Sequence, residues 1–200
     1  MDNKPITGSE FIELNVKWLA EKYNVELQLQ EMTEEDAYRA RTYQAYRDAA
    51  NLISNPNFGD YKLFDEEVAR RHWSKDVLRE SLIGTVNYKE FRETLKAMGY
   101  EARFIDDVDL GREEIFSNTN MIFTICDESG RPVGFSARNL IYTTDRDENN
   151  KPKNGSKYMN QKTTGVRCNI YQKGRRLYNL HAAKRHTPPL YISQAVLGLF

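Results

Sequence analysis

Three observations predict an α+β fold, with N-terminal helices followed by a small mixed β-sheet. Up to about residue 115, apolar residues recur at three- and four-residue spacing, the period of a helix with one buried side. Beyond it the period falls to two, or to short apolar runs bounded by turn residues, as strands require. The composition, 40% hydrophobic and 29% charged over 200 residues, suits a soluble chain with one sizeable core and excludes collagen-like, coiled-coil-only and fully disordered chains.

The first helix is read from Phe11, Ile12, Val16, Leu19, Ala20 and Tyr23, with Asn24 ending it. Thr33 before Glu34, Glu35 and Asp36 places a hydroxyl N-cap ahead of an acidic first turn, and Ala37, Ala40, Tyr43, Ala45, Ala49 and Ile53 continue a long second helix. Asn55-Pro56-Asn57 with Gly59 breaks it. Shorter helices are expected near Phe64–Arg71, Ser74–Ser81 and Tyr88–Met98, the last with Asn87 as N-cap and Gly99 as stop. Met121–Cys126 and Pro132–Ala137 flank the turn residues Asp127-Glu128-Ser129-Gly130 and read as a hairpin. Tyr142–Ser156 is polar and charged and reads as an exposed loop whose composition permits disorder. Lys157-Tyr158-Met159-Asn160 reads as strand, and so does Leu190-Tyr191-Ile192 after Pro188-Pro189.

No segment approaches the roughly 18 consecutive apolar residues of a membrane helix, and Met1-Asp2-Asn3-Lys4-Pro5 begins no apolar secretory core. A cytoplasmic protein with no membrane partner is expected. Cys126, Cys168, His72, His181 and His186 assemble neither a disulfide framework nor a paired-cysteine zinc site. Phosphate-loop, dinucleotide, nucleophile-elbow and zinc-helix motifs are not present. The acidic groups Glu34-Glu35-Asp36 and Asp106-Asp107 with Asp109 read as an N-cap and a solvated turn; a metal-binding reading of the second would need its carboxylates to converge on Mg²⁺.

The formal net charge of zero conceals a division. Residues 1–130 hold 16 Lys/Arg against 26 Asp/Glu, and residues 131–189 hold 13 against 3. Such asymmetry fits a polyanion-binding surface on the second block or an ordinary solvated face. In that block Arg138 and Ser136 share one side of a period-2 strand. Lys157-Tyr158-Met159-Asn160 and Ile170–Leu180 interleave cations with aromatics, a pattern that suits phosphate neutralisation beside base stacking and equally suits core aromatics.

The order Gly-Arg-x-Val-Gly-Phe-x-x-Arg at 130–138, Lys-Tyr-x-Asn at 157–160 and Lys-Gly-Arg-x-Leu-Tyr-x-Leu at 173–180 closely resembles the DnaG-type DNA primases of bacteria and phages, specifically the N-terminal part of their RNA polymerase catalytic core. Phe11–Leu27 looks like the helix that links the family's zinc-binding domain to that core, and residues 71–98 resemble its small helical segment more loosely. The resemblance implies a linker helix over 1–30, a helical part over 31–115, a basic mixed-sheet part over 116–189 and, over 190–200, a truncated start of a Toprim-like region, at most its first strand.

It further implies a nucleotidyltransferase, a DNA-directed RNA polymerase that makes RNA primers on single-stranded DNA during replication, as part of a primosome. The implied partners are single-stranded DNA, RNA–DNA hybrid, ribonucleoside triphosphates, a replicative helicase and the remaining primase segment. Template or phosphate contact is carried to Arg138, Lys157, Asn160 and Lys173, and less directly to Arg175 and Arg176. At Lys173-Gly174 the glycine lets backbone approach a phosphate while the lysine supplies a mobile charge. The family's Mg²⁺ is held by Toprim carboxylates and its zinc by an N-terminal domain. After Ile192 this chain reads Ser193–Phe200, without the expected Glu-Gly and Asp-x-Asp, so no catalytic or metal residue is assigned and the chain alone is expected to be inactive. A non-catalytic single-stranded nucleic-acid-binding protein derived from a primase is the alternative expectation, and an inert interaction or structural protein is a third.

Overall fold

A computed structural model describes residues 10–25, 33–162 and 170, grouped into units of residues 1–36 and 37–200. In the first unit, helix α1 (Glu10–Tyr23) ends as its sequence dictates. Asn24 takes the left-handed conformation (φ +52°), and the Val25 N–H reaches back to the Ala20 carbonyl at 2.8 Å. That bond satisfies a carbonyl the last helical turn would otherwise leave open. Thr33 caps α2 (Glu34–Ser54): its Oγ accepts from the Asp36 N–H at 3.1 Å and donates to the Asp36 carboxylate at 2.7 Å.

In the second unit α2 buries Thr42, Ala45, Tyr46, Ala49, Ala50, Leu52 and Ile53, one stripe in which alanines permit close packing. Asn55 then closes a turn, its side chain accepting from the Asn57 N–H at 3.0 Å. Helices α3 (Lys62–Arg70) and α4 (Lys75–Glu80) follow, then β1 (Ile83–Gly84) and α5 (Tyr88–Ala97). Asn87 caps α5 by accepting from the Glu90 N–H at 3.2 Å, and Gly99 at φ +93° ends it, a conformation a side chain would strain. Helix α6 (Ala102–Asp107) precedes β2 (Asn120–Cys126), β3 (Pro132–Asn139) and β4 (Tyr158–Asn160).

The four strands lie in the order β1-β2-β3-β4. All three pairings among the described residues are antiparallel, where the sequence suggested a mixed sheet. Chain reversal explains the β2–β3 pair. The Asp127 carboxylate accepts from the Ser129 and Arg131 N–H groups at 2.9 and 3.0 Å and clamps a tight turn. The Tyr142–Ser156 segment is an exposed loop, as expected, and holds a small reversal of its own. Arg146 bridges Pro152, and the Asp147 N–H and carboxylate bond Lys151.

Register assigns the two sheet faces. Ile122, Phe135 and Ala137 point into the main core with α2, α5 and α6, where Phe91 and Phe116 stack at 4.9 Å. Such a ring pair adds about 1 kcal/mol to the area it buries. On the opposite face Ile83 and Met121 pack under Phe64, Val68 and Leu78 of α3 and α4. Farther along that face come Ser136 and Arg138 of β3, then Tyr158 and Asn160 of β4. Strand β1 and helix α6 were not anticipated. β1 is two residues long, and α6 carries too few apolar positions to show a period.

Candidate nucleic-acid interface

Four side chains meet on the second sheet face because of pairing alone. Arg138 faces Met121 on one side and Tyr158 on the other, and Ser136 faces Asn160. Lys157 enters β4 through its carbonyl, which accepts from the Asn139 N–H at 3.0 Å. Its ammonium lies 5.5 Å from the centre of the Tyr158 ring, a cation–π distance. The Asn160 Oδ1 is buried and has no hydrogen-bond partner among the described residues. A polar atom left so is costly, by about 1–3 kcal/mol, unless something else supplies a donor.

Arg138 is half-buried and reaches 3.4 Å from the carboxylate of Glu67 on α3. Glu67, Arg70, Arg138, Asn139, Tyr142 and Lys157 line a cleft of about 230 Å³. Burial pushes the Glu67 carboxyl up, but hydrogen bonds from Arg71 and Arg70 and the charge of Arg138 outweigh it, so the group is held below the usual carboxylate range. It is an anion at neutral pH.

Strand β4 is fixed from behind by Gln161, Asp109 and Arg112. The buried Gln161 amide accepts from the Phe135 N–H at 2.9 Å and donates to the Asp109 carbonyl at 3.0 Å. The Asp109 carboxylate accepts from the Lys162 N–H at 2.8 Å, and Arg112 donates to the Asn160 carbonyl at 3.0 Å. Asp109 is therefore no solvated-turn residue: it is 4% exposed and holds φ +58°. Asp106 is exposed, as that reading has it, but it lies in helix α6 rather than in a turn, and Arg92 grips it through two bonds of 2.6 and 2.9 Å. Only contacts more than ten residues distant in sequence reveal either role.

Of the residues singled out from sequence, Arg138 and Lys157 share the cleft, and Asn160 lies on the same face. Lys173, Arg175 and Arg176, and the strand expected at Leu190-Tyr191-Ile192, lie outside the described residues. Sequence reasoning missed Tyr158, although it sits inside the Lys-Tyr-x-Asn motif. It also missed Glu67, whose spacing to Arg70 and Arg71 was a legible helical pairing signal. Among the described residues no group of three His, Cys, Asp or Glu side chains could hold a metal ion, so none is assigned to Mg²⁺. No described helix is long and apolar enough to cross a membrane.

Residues 67–184, more than half of the chain, match the family described as DNA primase catalytic core, N-terminal domain. The sequence matches no curated protein. Among solved structures, the chain is similar to the RNA polymerase domain of Mycobacterium tuberculosis primase DnaG, with 22% identity and a TM-score of 0.57 over 74% of this chain and 46% of that one. The same domain in complex with double-stranded DNA gives 22% and 0.56, over 74% and 45%. A DnaG primase catalytic domain bound to single-stranded DNA gives 23% and 0.51, over 74% and 46%. The chain thus spans about half the length of the structures it matches, and at these identities the likeness establishes the fold.

Proposed function

The chain belongs to the family of the DNA primase catalytic core, as its N-terminal domain, and on that premise we propose that it is the template- and nucleotide-binding part of an enzyme that makes RNA primers on single-stranded DNA. The observation that carries the reading is the register that sets Arg138, Tyr158 and Asn160 on one sheet face, with Lys157 beside them. Guanidinium and ammonium groups neutralise phosphates, and a tyrosine ring offers a surface on which any base can stack.

In this reading the chain's residues bind and orient, while the Mg²⁺ chemistry belongs to carboxylates that are not among the described residues. The same reading assigns template or phosphate contact to Lys173, Arg175 and Arg176, on the sequence motif alone. Ribonucleoside triphosphates, RNA–DNA hybrid, a replicative helicase and the remaining primase segment are the partners it implies.

The test is a titration of a labelled single-stranded oligonucleotide followed by anisotropy. Affinity should fall with salt at a log–log slope of roughly −0.7 for each phosphate neutralised, so a few contacts give a slope of a few units. Flat or absent binding would sink the reading. In a second assay, ribonucleotide incorporation should appear when a Toprim-containing primase segment is added and not with the chain alone. Binding without incorporation in that mixture would favour the non-catalytic binding protein.

A further inference from the structure

The Glu67 carboxylate receives more cations than it can neutralise. Arg70 donates to it through Nε at 2.9 Å and Nη2 at 2.7 Å, Arg71 donates through Nε, and Arg138 arrives from β3 at 3.4 Å. Three guanidinium groups thus share one carboxylate, and Lys157 adds a fourth cation to the cleft that Glu67, Arg70 and Arg138 line. Helical spacing explains why Arg70 and Arg71 meet Glu67. It does not explain why a strand brings a third guanidinium to the same carboxylate. Clustered like charges repel, and the cluster is relieved by an anion that several guanidinium groups can share; a phosphate oxygen fits their donor geometry.

We propose that Arg70, at the end of α3, is a phosphate contact for the backbone of the single strand, alongside Arg138 and Lys157. Arg70 lies in the acidic block of the sequence, where counting charges along the chain hides it. Its side chain is 62% exposed, so a ligand can reach it, while Glu67, at 12%, stays beneath. The cleft of about 230 Å³ accommodates a phosphodiester group, and Tyr142 on its wall offers an aromatic surface to the adjoining base. The inference rests on the nucleic-acid reading of the second sheet face.

The experiment compares the full chain with Arg70→Ala, Arg70→Lys, Lys157→Ala and Arg103→Ala, using a labelled oligothymidylate across a salt series. Arg103 on α6 is 92% exposed and serves as a control for loss of one cation anywhere. Arg70→Ala should weaken binding severalfold and reduce the slope by about 0.7, with the thermal midpoint nearly unchanged. Arg70→Lys should keep the slope, because the charge remains, and recover only part of the affinity, because the fork does not. Arg103→Ala should leave the slope in place.

If the slopes of Arg70→Ala and Arg103→Ala coincide while Lys157→Ala lowers it, the proposal for Arg70 fails and the reading of the face stands. If the unaltered chain binds no oligothymidylate, both fail. Should Arg70→Ala unfold, a lowered slope in Arg70→Lys would by itself overturn the proposal. A ribonucleoside triphosphate that protects against the loss in Arg70→Ala, with strand binding unaffected by the substitution, would assign the seat to free nucleotide and overturn it as well.

Discussion

The side-chain amide of Gln161 donates to the backbone carbonyl of Asp109 at 3.0 Å, joining residues 52 positions apart, and its oxygen accepts from the Phe135 N–H at 2.9 Å. Three segments of chain are tied by one buried side chain, and β4 with Tyr158 and Asn160 is held immediately before it.

Gln161→Leu keeps much of the volume and removes both bonds. A buried N–H and a buried carbonyl are then left open, at about 1–3 kcal/mol each. For a chain of this size the thermal midpoint should fall by roughly 6–12 °C, taking about 3 kcal/mol in total. An unchanged midpoint in a thermal scan would refute the role assigned to Gln161.

Gly84 gives a second stability test. A methyl group there would run into the backbone carbonyl of Ile53 at the end of α2, which cannot rotate away as a side chain could. Gly84→Ala should therefore displace β1 and cost about 1–3 kcal/mol, the range of an overpacked core. Denaturant unfolding measures it, and a neutral result would mean that β1 shifts freely.

These two positions also show where sequence reading stops. Thr33, Asn87, Asn24 and Gly99 were legible because a cap is a contact within four or five residues, and each sits where its chemistry placed it. The hairpin at 127–131 was legible for the same reason. Arg138 was placed correctly on the face of Ser136, since period 2 fixes sides. What a strand or turn faces across the fold is set by partners tens of residues away. Asp109 was thus read as a solvated turn, although it is buried under the Lys162 N–H. Glu67 was passed over because its third arginine comes from β3.

Acid should destabilise the protein through known carboxylates. Burial pushes the Asp127 carboxyl up, but bonds from the Arg131 backbone and side chain and the Ser129 N–H bring it below its ordinary value. Asp106 is held low by its bonds to Arg92, and Glu67 by the arginines around it. Folded values below the unfolded ones of about 4 mean that the folded state binds protons less readily. Their stabilisation is present in full above the unfolded values and is lost as pH falls through the folded ones. The midpoint should be level above about pH 5 and drop below about pH 4. Asp127→Asn should start lower and fall less steeply. An equal acid slope in both proteins would remove Asp127 from the account.

Cys126 is 3% exposed, and burial, with the neighbouring Asp127 charge, pushes its thiol up to about 11. At pH 8 about one molecule in a thousand carries the reactive thiolate. In a Cys168→Ser background, labelling by a disulfide reagent should be slow and should rise with urea in step with unfolding. Fast, complete labelling of the folded protein would show that the end of β2 is open.

Arg138 and Lys157 should separate when each is replaced by alanine. Lys157 is exposed and makes no ion pair among the described residues, so its loss should leave the thermal midpoint within a degree or two, by the usual small worth of surface charges. It should still lower the salt slope of single-strand binding by about 0.7. Arg138 is 19% exposed and pairs with a Glu67 carboxylate that is 12% exposed. Its loss removes one of three cations from a half-buried anion, so both the midpoint and the slope should fall. Anisotropy and a thermal scan on the same samples distinguish the two. If Arg138→Ala lowers only the midpoint, its guanidinium belongs to the packing of α3 on the sheet, and phosphate contact passes to Lys157 alone. If Lys157→Ala also leaves the slope untouched, this face of the sheet is not the nucleic-acid surface.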